Sequence, residues 1–233
     1  EAKAALELLS AWDGNMFAER AEPLILVAWW RELTRAMFAD ELGEAFRPAW
    51  STRPAFVNNV LADRDGQSRW CDNVHTPKKE GCADLLQASL EAALADLRQR
   101  YGGNMGRWRW GEAHEARLRH RPFSRDARLR DWFDVAVASP GDAYTVNVGR
   151  SDFQDDGEPY SNRHAASLRA IYDLADPQAS LFIHPGGQSG NPLSPHYRSF
   201  TNAWARGEYA PMLTDRARLE AQGVQRLVLT PRK

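Results

Sequence analysis

Hydrophobic residues in the N-terminal part of the chain recur every three to four positions, a spacing that predicts amphipathic helices. In Ala2–Trp12 they fall on one face, and Gly14 follows as a residue that readily ends a helix. A longer pattern of the same kind begins after Pro23 and fades near Gly43, and a shorter one covers Phe56–Leu61. These segments predict successive helices joined by short loops.

The clearest helical pattern covers Cys82–Tyr101. Its large apolar residues form one stripe, charged residues lie on the opposite side, and Gly102-Gly103 stops the pattern. A stripe of leucines in a helix is typical of core packing and does not indicate a cofactor site. Residues 1–103 are therefore predicted to be mainly helical.

The pattern changes after Gly103, where short β-prone runs alternate with clusters of Gly, Pro and Asp. Residues 104–233 are predicted to be mainly β strands, with a short helical segment near 197–222. The hairpin-like spacing indicates a mainly antiparallel sheet, and helices on one side of it give an α+β fold. The predicted strands are Ala143–Val148, Ser167–Leu174, Ser180–His184 and Arg226–Thr230.

The composition is that of a folded globular chain. Hydrophobic residues make up 43% of the 233 positions, and the formal net charge is −1. A nearly neutral chain has no electrostatic attraction for nucleic acid or an anionic membrane, so neither is expected as a partner. The longest apolar run, Pro23–Trp30, is too short to be a membrane span. Because the chain starts at Glu1 without Met or an apolar leader, we expect an internal piece or a processed product.

Cys71 and Cys82 enclose a polar, proline-containing loop that can fold back and close a small ring. A disulfide across this loop would stabilise the fold by about 3 kcal/mol and would indicate an oxidising compartment. Two free buried thiols are the alternative. A zinc site is less favoured because neither cysteine belongs to a C-x-x-C pair, and no metal or cofactor is predicted for this chain.

A glycine-rich segment, Pro185–Pro192, follows the predicted strand that ends at His184. A phosphate loop is one interpretation, but the Gly-Lys-Ser/Thr ending is missing. Ser189 in Gly-Gln-Ser-Gly is similar to a nucleophile elbow, although Asn191 replaces the last glycine of G-x-S-x-G. Taken alone, the segment is best interpreted as a structural turn.

His114 and His120 are spaced so that both would lie on one face of a strand. They could begin a metal site, but no third ligand is evident near them in sequence. Structural histidines with satisfied hydrogen bonds are the favoured interpretation. His184 and His196, which flank the glycine-rich segment, have the same ambiguity.

Three charged residues are candidates for a functional role. Asp142 precedes a predicted strand, and Arg169 and Asp173 would project from one face of another. A charge that faces a core is costly unless it is paired, so a buried ion-pair network is the simpler interpretation. The functional interpretation is that these side chains orient catalytic groups.

Short motifs form an ordered series over nearly the whole chain. They are Trp12-Asp13-Gly14, Trp70-Cys71-Asp72 with Cys82, Leu97 to Tyr101 with Gly102, Trp110-Gly111 with His114 and His120, Gly141-Asp142 with Thr145-Val146-Asn147, Ser167-Leu168-Arg169 leading to Asp173-Leu174, and Pro185 to Tyr197. One such match would be weak. Together they resemble the penicillin acylase (penicillin amidase) family, and the glycine-rich segment looks closest to the acyl-homoserine-lactone and aculeacin-type acylase branch.

The resemblance implies an N-terminal-nucleophile hydrolase with a layered, αββα-type fold. In that family a precursor cleaves itself, and the new N-terminal Ser of the β chain attacks the amide with its own α-amino group as base. A backbone N–H and an Asn side chain stabilise the oxyanion. Glu1 cannot be that nucleophile, and the family's oxyanion Asn lies in an earlier part of the β chain. The chain alone is therefore predicted to be inactive, with no catalytic residue of its own.

On this resemblance, residues 1–233 are the C-terminal part of the β subunit. Their partners are the rest of the β subunit and the α subunit of the same precursor, in the bacterial periplasm or outside the cell. The substrate is a small-molecule N-acyl amide: an acyl-homoserine lactone, a penicillin or a lipopeptide. Asp142, Arg169 and Asp173 match motif positions and are expected to orient the site or assist maturation. The alternative is a non-catalytic secreted α+β domain that binds a partner through exposed Trp and Arg.

Overall fold

The computed structural model describes residues 1–50, 53–223 and 227–231 of the chain. The chain divides into two compact units, each made from two segments. The first unit comprises Glu1–Arg117 and Ala136–Ala165, and the second comprises Leu118–Val135 and Ala166–Lys233.

Helices form most of the first unit. The α-helices of the described residues are α1 Ala2–Ala11, α2 Glu22–Leu42, α3 Phe46–Ala49, α4 Pro54–Leu61, α5 Cys82–Tyr101, α6 Trp110–Ala113, α7 Ala127–Phe133, α8 Thr201–Ala205 and α9 Arg216–Ala221. Shorter 3-10 turns cover Gly43–Ala45, Arg64–Cys71, Met105–Arg107, Phe123–Arg125 and Pro177–Ala179. Of the helices in the described ranges, none has both the length and the apolar character that crossing a bilayer requires.

The strands are short and form small sheets. They are β1 Glu115–Leu118, β2 Val135–Ala138, β3 Gly149–Arg150, β4 His164–Ala165, β5 Arg169–Ile171, β6 Leu181–Ile183 and β7 Ala210–Pro211. Strand β1 pairs with β2, and β3 pairs antiparallel with β4. Strands β5, β6 and β7 form an antiparallel sheet in that order, with Arg169 opposite Ile183 and Phe182 opposite Ala210. The α+β class predicted from the sequence is thus confirmed.

The predicted N-terminal helices are confirmed, and their ends have local causes. Pro23 lies in the first turn of α2. Backbone N–H groups there have no partner within the helix, so the missing N–H of proline costs no hydrogen bond. Helices α2 and α5 end at Leu42 and Tyr101, and the residues that follow them are Gly43 and Gly102, whose φ angles of 49° and 84° favour glycine. Asp84 accepts a hydrogen bond from Gly81 N–H at 3.1 Å and caps the start of α5. Local sequence chemistry therefore sets the length of the two longest helices.

Two hydrophobic clusters form the core of the first unit. The first joins α1, α2 and α5 to the tryptophan-rich segment after α5, through Ala5, Leu24, Ile25, Leu90, Leu94, Leu97, Trp108 and Trp110. The second packs the C-terminal half of α2 against α3 and α4, through Leu33, Met37, Phe38, Phe46, Val57, Val60 and Cys71. The leucine stripe of α5 is therefore core packing, as its pattern predicted.

The two cysteines are bridged, as predicted. Cys71 and Cys82 form a disulfide with their Cα atoms 4.9 Å apart. The bridge joins the 3-10 turn Arg64–Cys71 to the first residue of α5. Cys71 is buried in the second cluster, so the disulfide ties the start of α5 to that part of the core.

The strand predicted at Ala143–Val148 is wrong. Residues 143–147 form turns, and β3 begins only at Gly149. The reason is Asp142, whose carboxylate accepts the N–H groups of Tyr144 and Thr145. These local bonds use the backbone groups that pairing with a neighbouring strand would need.

The remaining strands are shorter than the runs that predicted them. Strands β5 and β6 confirm the centres of Ser167–Leu174 and Ser180–His184, and their antiparallel pairing is also as predicted. In the run Arg226–Thr230, Arg226 lies outside the described residues, and 227–230 form no strand. Asp, Gly and Pro residues follow each run after a few positions and favour turns, so turns and loops separate the paired strands.

Candidate functional site

Asp142 organises a tight turn in the first unit. Its Oδ1 accepts hydrogen bonds from the N–H groups of Tyr144 and Thr145 at 2.8 and 2.9 Å. Its own N–H donates to Thr145 Oγ1 at 2.8 Å, and its carbonyl accepts from Gly149 N–H at 2.8 Å. Asp142 therefore holds the turn together and ties it to β3.

Gly141, immediately before Asp142, cannot be replaced without a clash. Its φ is 86°, and a Cβ at this position would lie 2.1 Å from the carbonyl oxygen of Asn147. Its carbonyl accepts from Trp110 Nε1 at 2.9 Å, and its N–H donates to Met16 O at 2.9 Å. The Gly-Asp pair of the motif thus has a structural cause: glycine permits the close approach, and Asp142 closes the turn.

An apolar cavity of about 180 Å³ lies beside this turn within the first unit. Asp142 is a charged residue in a lining that is otherwise aliphatic or aromatic. Ligand pockets usually enclose roughly 300–1,000 Å³, so this cavity suits a small apolar group or one segment of a longer chain. The lining consists of Leu26, Val27, Trp30, Pro54, Asp142, Tyr144 and Phe153.

His114 is a buried histidine held by stacking and hydrogen bonds. Its ring stacks on Trp110 with the centroids 4.2 Å apart, and its Nδ1 donates to the Tyr160 carbonyl at 2.7 Å. Ser139 Oγ donates to the His114 carbonyl at 2.5 Å. Burial lowers the pKa of His114 to about 4, so its imidazole is neutral at neutral pH. These contacts fit a structural role, but the buried Nε2 has no hydrogen-bond partner among the described residues, so the expectation that all hydrogen bonds of this histidine are satisfied is not met.

His114 and His120 do not share a strand face, contrary to the spacing argument. Strand β1 spans only Glu115–Leu118, and both histidines lie outside it. His120 belongs to the second unit, where its ring packs on Phe123 and Phe133 with centroid distances of 4.9 and 4.8 Å. Within the described ranges, no group of three or more His, Cys, Asp or Glu side chains is arranged to hold a metal ion.

A buried ion pair on α2 has no counterpart among the sequence predictions. Arg31 and Glu32 are only 3% and 4% exposed, and their side chains pair at 2.9 Å. Arg31 also bonds Asp156 Oδ1 at 2.8 Å and donates its Nε–H to Phe153 O at 3.3 Å. An Arg-Glu step in a helix usually lies on a solvated face. Its flanking tryptophans and leucine are the signal that could have indicated burial.

The loop after β3 is also anchored to α5. Tyr160 donates its hydroxyl to Asp96 Oδ2 at 2.7 Å, and Arg100 Nε donates to Asp96 Oδ1 at 2.8 Å. Arg100 donates further to the carbonyls of Asp156 and Gly157 at 2.8 and 2.9 Å. Burial raises the pKa of Tyr160 well above its ordinary value, which keeps the phenol protonated as a donor. Charged residues of two helices therefore fix the segment between β3 and β4.

Arg169 and Asp173 lie in the second unit and form no ion pair with each other in its described part. The Arg169 guanidinium lies over the rings of Trp204 and Tyr209, 5.5 and 5.6 Å from their centroids, and donates to Trp204 O. Asp173 is exposed, and its Oδ1 accepts two backbone N–H groups of the following turn at 2.9 and 3.0 Å. The expected ion-pair network is absent at this pair because β5 ends at Ile171 and the chain turns at Asp173.

The glycine-rich segment forms a turn that requires glycine. A Cβ on Gly187 would lie 2.0 Å from His196 O. Ser189 N–H donates to the same carbonyl at 3.3 Å, and Ser189 Oγ accepts from Asn191 N–H at 3.1 Å. In the described part of the chain, no basic side chain bonds to this hydroxyl. The geometry therefore fits the structural turn and not a nucleophile elbow.

The fold and these sites define an α+β chain whose charged and glycine-containing motifs fix turns and loops. Residues 1–221 match the family model described as penicillin amidase. The chain therefore belongs to the penicillin amidase family, as its motifs predicted.

Individual relatives are acylases. The chain is 32% identical to acyl-homoserine lactone acylase QuiP of Pseudomonas syringae pv. tomato, in a match that covers 100% of this chain and 29% of the relative. It is 29% identical to the penicillin acylase 2 proenzyme of a Pseudomonas species, over 97% of this chain and 28% of the relative. A solved structure, a thermostable penicillin G acylase from Alcaligenes faecalis, matches 100% of this chain and 43% of its own, with 18% identity and a TM-score of 0.48. The chain thus spans less than a third of the length of these curated relatives.

Proposed function

We propose that this chain is the C-terminal part of the catalytic β subunit of an enzyme that hydrolyses N-acyl amides, with acyl-homoserine lactones as its substrate class. The observation that carries the proposal is the match of the entire chain to a named acyl-homoserine lactone acylase at 32% identity. In this proposal the nucleophile, its base and the oxyanion donors belong to the remainder of the enzyme; the match, which covers 29% of that relative, leaves room for such a remainder.

This chain stabilises the structure around the catalytic part of the enzyme and takes no direct part in the reaction. The Asp142 turn forms one wall of the apolar cavity, so it sets the shape of a space that can receive a segment of the acyl chain. Arg169 fixes β5 against Trp204 and Tyr209, and Asp173 ends that strand in a defined turn. In this proposal all three residues act on folding and maturation of the precursor, and none touches the bond that breaks.

The disulfide supports a periplasmic or extracellular location for the enzyme. Cys71 and Cys82 are bridged, and thiols in the bacterial cytosol are kept reduced. The bridge is part of the core that packs α2 against α3 and α4, so its formation is part of folding.

The test uses the full-length precursor that contains this chain. The protein is purified after self-cleavage and incubated with a long-chain acyl-homoserine lactone, a penicillin and a lipopeptide, and the amine released from each is measured by mass spectrometry. We expect homoserine lactone to be released with the highest kcat/KM. The matched control is the same precursor with the N-terminal Ser of its β chain changed to Ala.

A mature protein that releases no amine from any of these substrates would contradict the proposal. In that case the alternative, a secreted domain that binds a partner without catalysis, would be favoured.

A further inference from the structure

The segment Arg119–Arg130 of the second unit concentrates positive charge. It contains five arginines and one aspartate, which give a formal charge of +4, whereas the whole chain carries −1. Asp131 and Asp134 are the next acids along the chain and reduce the excess to +2 over Arg119–Asp134. A local excess of this kind attracts anions even though the charge of the whole chain does not. The arginines, all of them exposed, are Arg119, Arg121, Arg125, Arg128 and Arg130.

These arginines have no carboxylate partner. Within the described residues, none of the five forms a salt bridge, whereas Arg206 of the same unit pairs with a glutamate at 2.6 Å. The nearby acids bond to the backbone instead: Asp126 accepts the N–H of Arg128 at 2.8 Å, and Asp134 accepts the N–H of His120 at 2.9 Å. The guanidinium groups of the segment can therefore meet an anion from outside the chain.

Aromatic residues lie among the arginines. Arg128 and Trp132 are four positions apart on α7, so both project from the same side of the helix. Trp132 is 57% exposed and Phe123 is 37% exposed. Two of the arginines and Phe123 line a shallow depression of about 790 Å³, whose full lining is Pro122, Phe123, Arg125, Asp126, Ala127, Arg128 and Leu129.

The segment after the glycine-rich turn fixes this surface in place. Tyr197 donates its hydroxyl to Phe133 O at 2.5 Å, and Arg198 Nη2 donates to Asp134 O at 2.8 Å. The same nitrogen of Arg198 lies 3.4 Å from two carbonyl oxygens within α7. These bonds hold the end of α7 and place a sixth arginine beside it, so the surface is ordered before any partner binds.

The combination of unpaired arginines and exposed aromatic rings suits a lipid surface better than the interior of a protein interface. Burying a guanidinium against protein without a carboxylate is costly. At the surface of a bilayer the charge stays hydrated and contacts lipid phosphates, while the aliphatic stem of arginine and the aromatic rings enter the interface.

We infer that the arginine surface, defined as Arg119–Trp132, binds anionic phospholipid membranes. The binding is peripheral and needs no membrane span. Its consequence rests on the proposed function: long-chain N-acyl amides partition into bilayers, so an enzyme held at a bilayer meets its substrate where that substrate is concentrated.

The experiment measures flotation of the full-length, self-cleaved protein with lipid vesicles in the absence of substrate. One set contains equal parts of phosphatidylglycerol and phosphatidylcholine, and the other contains phosphatidylcholine alone. We expect at least about tenfold stronger binding to the anionic vesicles and loss of that binding when NaCl is raised from about 0.1 M to about 1 M. Equal binding to both sets, or binding to neither, would overturn the inference.

Matched pairs of substitutions locate the contact. Arg125→Gln combined with Arg128→Gln should weaken binding to the anionic vesicles about 30-fold. Arg206→Gln combined with Arg216→Gln removes the same charge from exposed arginines that are already balanced by glutamates, and should weaken it less than about threefold. Because all four positions are exposed, both variants should self-cleave and melt like wild type. Equal weakening by the two pairs would overturn the assignment to the arginine surface.

An acidic protein segment is the other partner that such a surface could take. Soluble polyglutamate is the probe for it, and binding of polyglutamate without binding of anionic vesicles would overturn the inference. The outcome is also separable from that for the proposed function, since flotation uses no substrate and amine release uses no vesicles. Vesicle binding by a protein that releases no amine would support the membrane surface and refute the function. Amine release without vesicle binding would support the function and overturn the membrane surface.

Discussion

Asp142 and Thr145 hold each other in place through reciprocal hydrogen bonds. Asp142 Oδ1 accepts from Thr145 N–H at 2.9 Å, and Thr145 Oγ1 accepts from Asp142 N–H at 2.8 Å. The carboxylate that the sequence singles out as a candidate for orienting a site is thus committed to its own turn. The Asp142 carboxylate therefore acts first on the conformation of this turn, whose residues line the apolar cavity.

Changing Asp142 in the full-length precursor should affect folding before it affects turnover. Asp142→Ala removes the acceptor of two backbone N–H groups and is expected to cost about 1–3 kcal/mol of unfolding free energy. Asp142→Asn keeps the Oδ1 acceptor and should cost less than about 1 kcal/mol. Thermal unfolding and self-cleavage on a gel measure both effects. If Asp142→Asn matured and melted normally but lost turnover a thousandfold, the residue would have a direct catalytic role.

Removal of Arg31 should be far more damaging than removal of Arg35. Both guanidinium groups pair with Glu32, but Arg31 is buried, whereas the Arg35 side chain is 49% exposed. Arg31→Met leaves a buried carboxylate without its buried partner and is expected to cost about 3–5 kcal/mol. Arg35→Met should cost less than about 1 kcal/mol. Urea unfolding gives the two values, and equal losses would show that the Arg31–Glu32 pair is not the buried anchor of α2.

His114 should make stability depend on pH below neutrality. Its pKa is lowered from 6.5 to about 4 by burial, so the folded state binds the proton less readily than the unfolded state. The contribution of neutral His114 to the free energy of unfolding is therefore complete above pH 6.5. It is lost as the pH falls from 6.5 to about 4, and the free energy of unfolding decreases by on the order of 3 kcal/mol.

The corresponding measurement compares wild type with His114→Gln across this range. The difference in unfolding free energy should be constant above pH 6.5 and should change as the pH falls towards 4. His75→Gln, at an exposed position, is the control for a histidine substitution outside the core. A difference between wild type and His114→Gln that does not vary with pH would exclude the proposed linkage.

The disulfide should contribute measurably to stability. Replacing Cys71 and Cys82 together by Ser removes the cross-link from the unfolded chain and is expected to cost about 3 kcal/mol. Thiol titration of unreduced, denatured wild type should find essentially no free thiol. Two reactive thiols per chain would show that the bridge does not form in the isolated protein.

The sequence predicts best those elements whose cause is local. The apolar stripe and the following glycines define α5 as Cys82–Tyr101, and the structure has the same bounds. The strand predicted at Ala143–Val148 fails because one side chain, Asp142, competes for the backbone groups. β-propensity describes how side chains fit a sheet and cannot anticipate that competition.

The sequence does not predict the surroundings of charged residues, because those surroundings come from distant parts of the chain. Arg31 is buried by contact with the segment near Asp156, a relationship that no local pattern contains. Arg169 and Asp173 share a face only if one strand includes both, but β5 stops before Asp173. The partners of these charged residues therefore depend on the fold, and the orienting or maturation role expected of Asp142, Arg169 and Asp173 stays a prediction.

The central claim is that this chain is part of an amide hydrolase whose nucleophile lies elsewhere in the precursor. The most direct measurement compares the release of homoserine lactone from a long-chain acyl-homoserine lactone by the full-length, self-cleaved protein and by the purified 233-residue chain. The account predicts release by the full-length protein and none by the chain above a heat-denatured control. Hydrolysis by the chain alone, or none by the full-length protein, would contradict it.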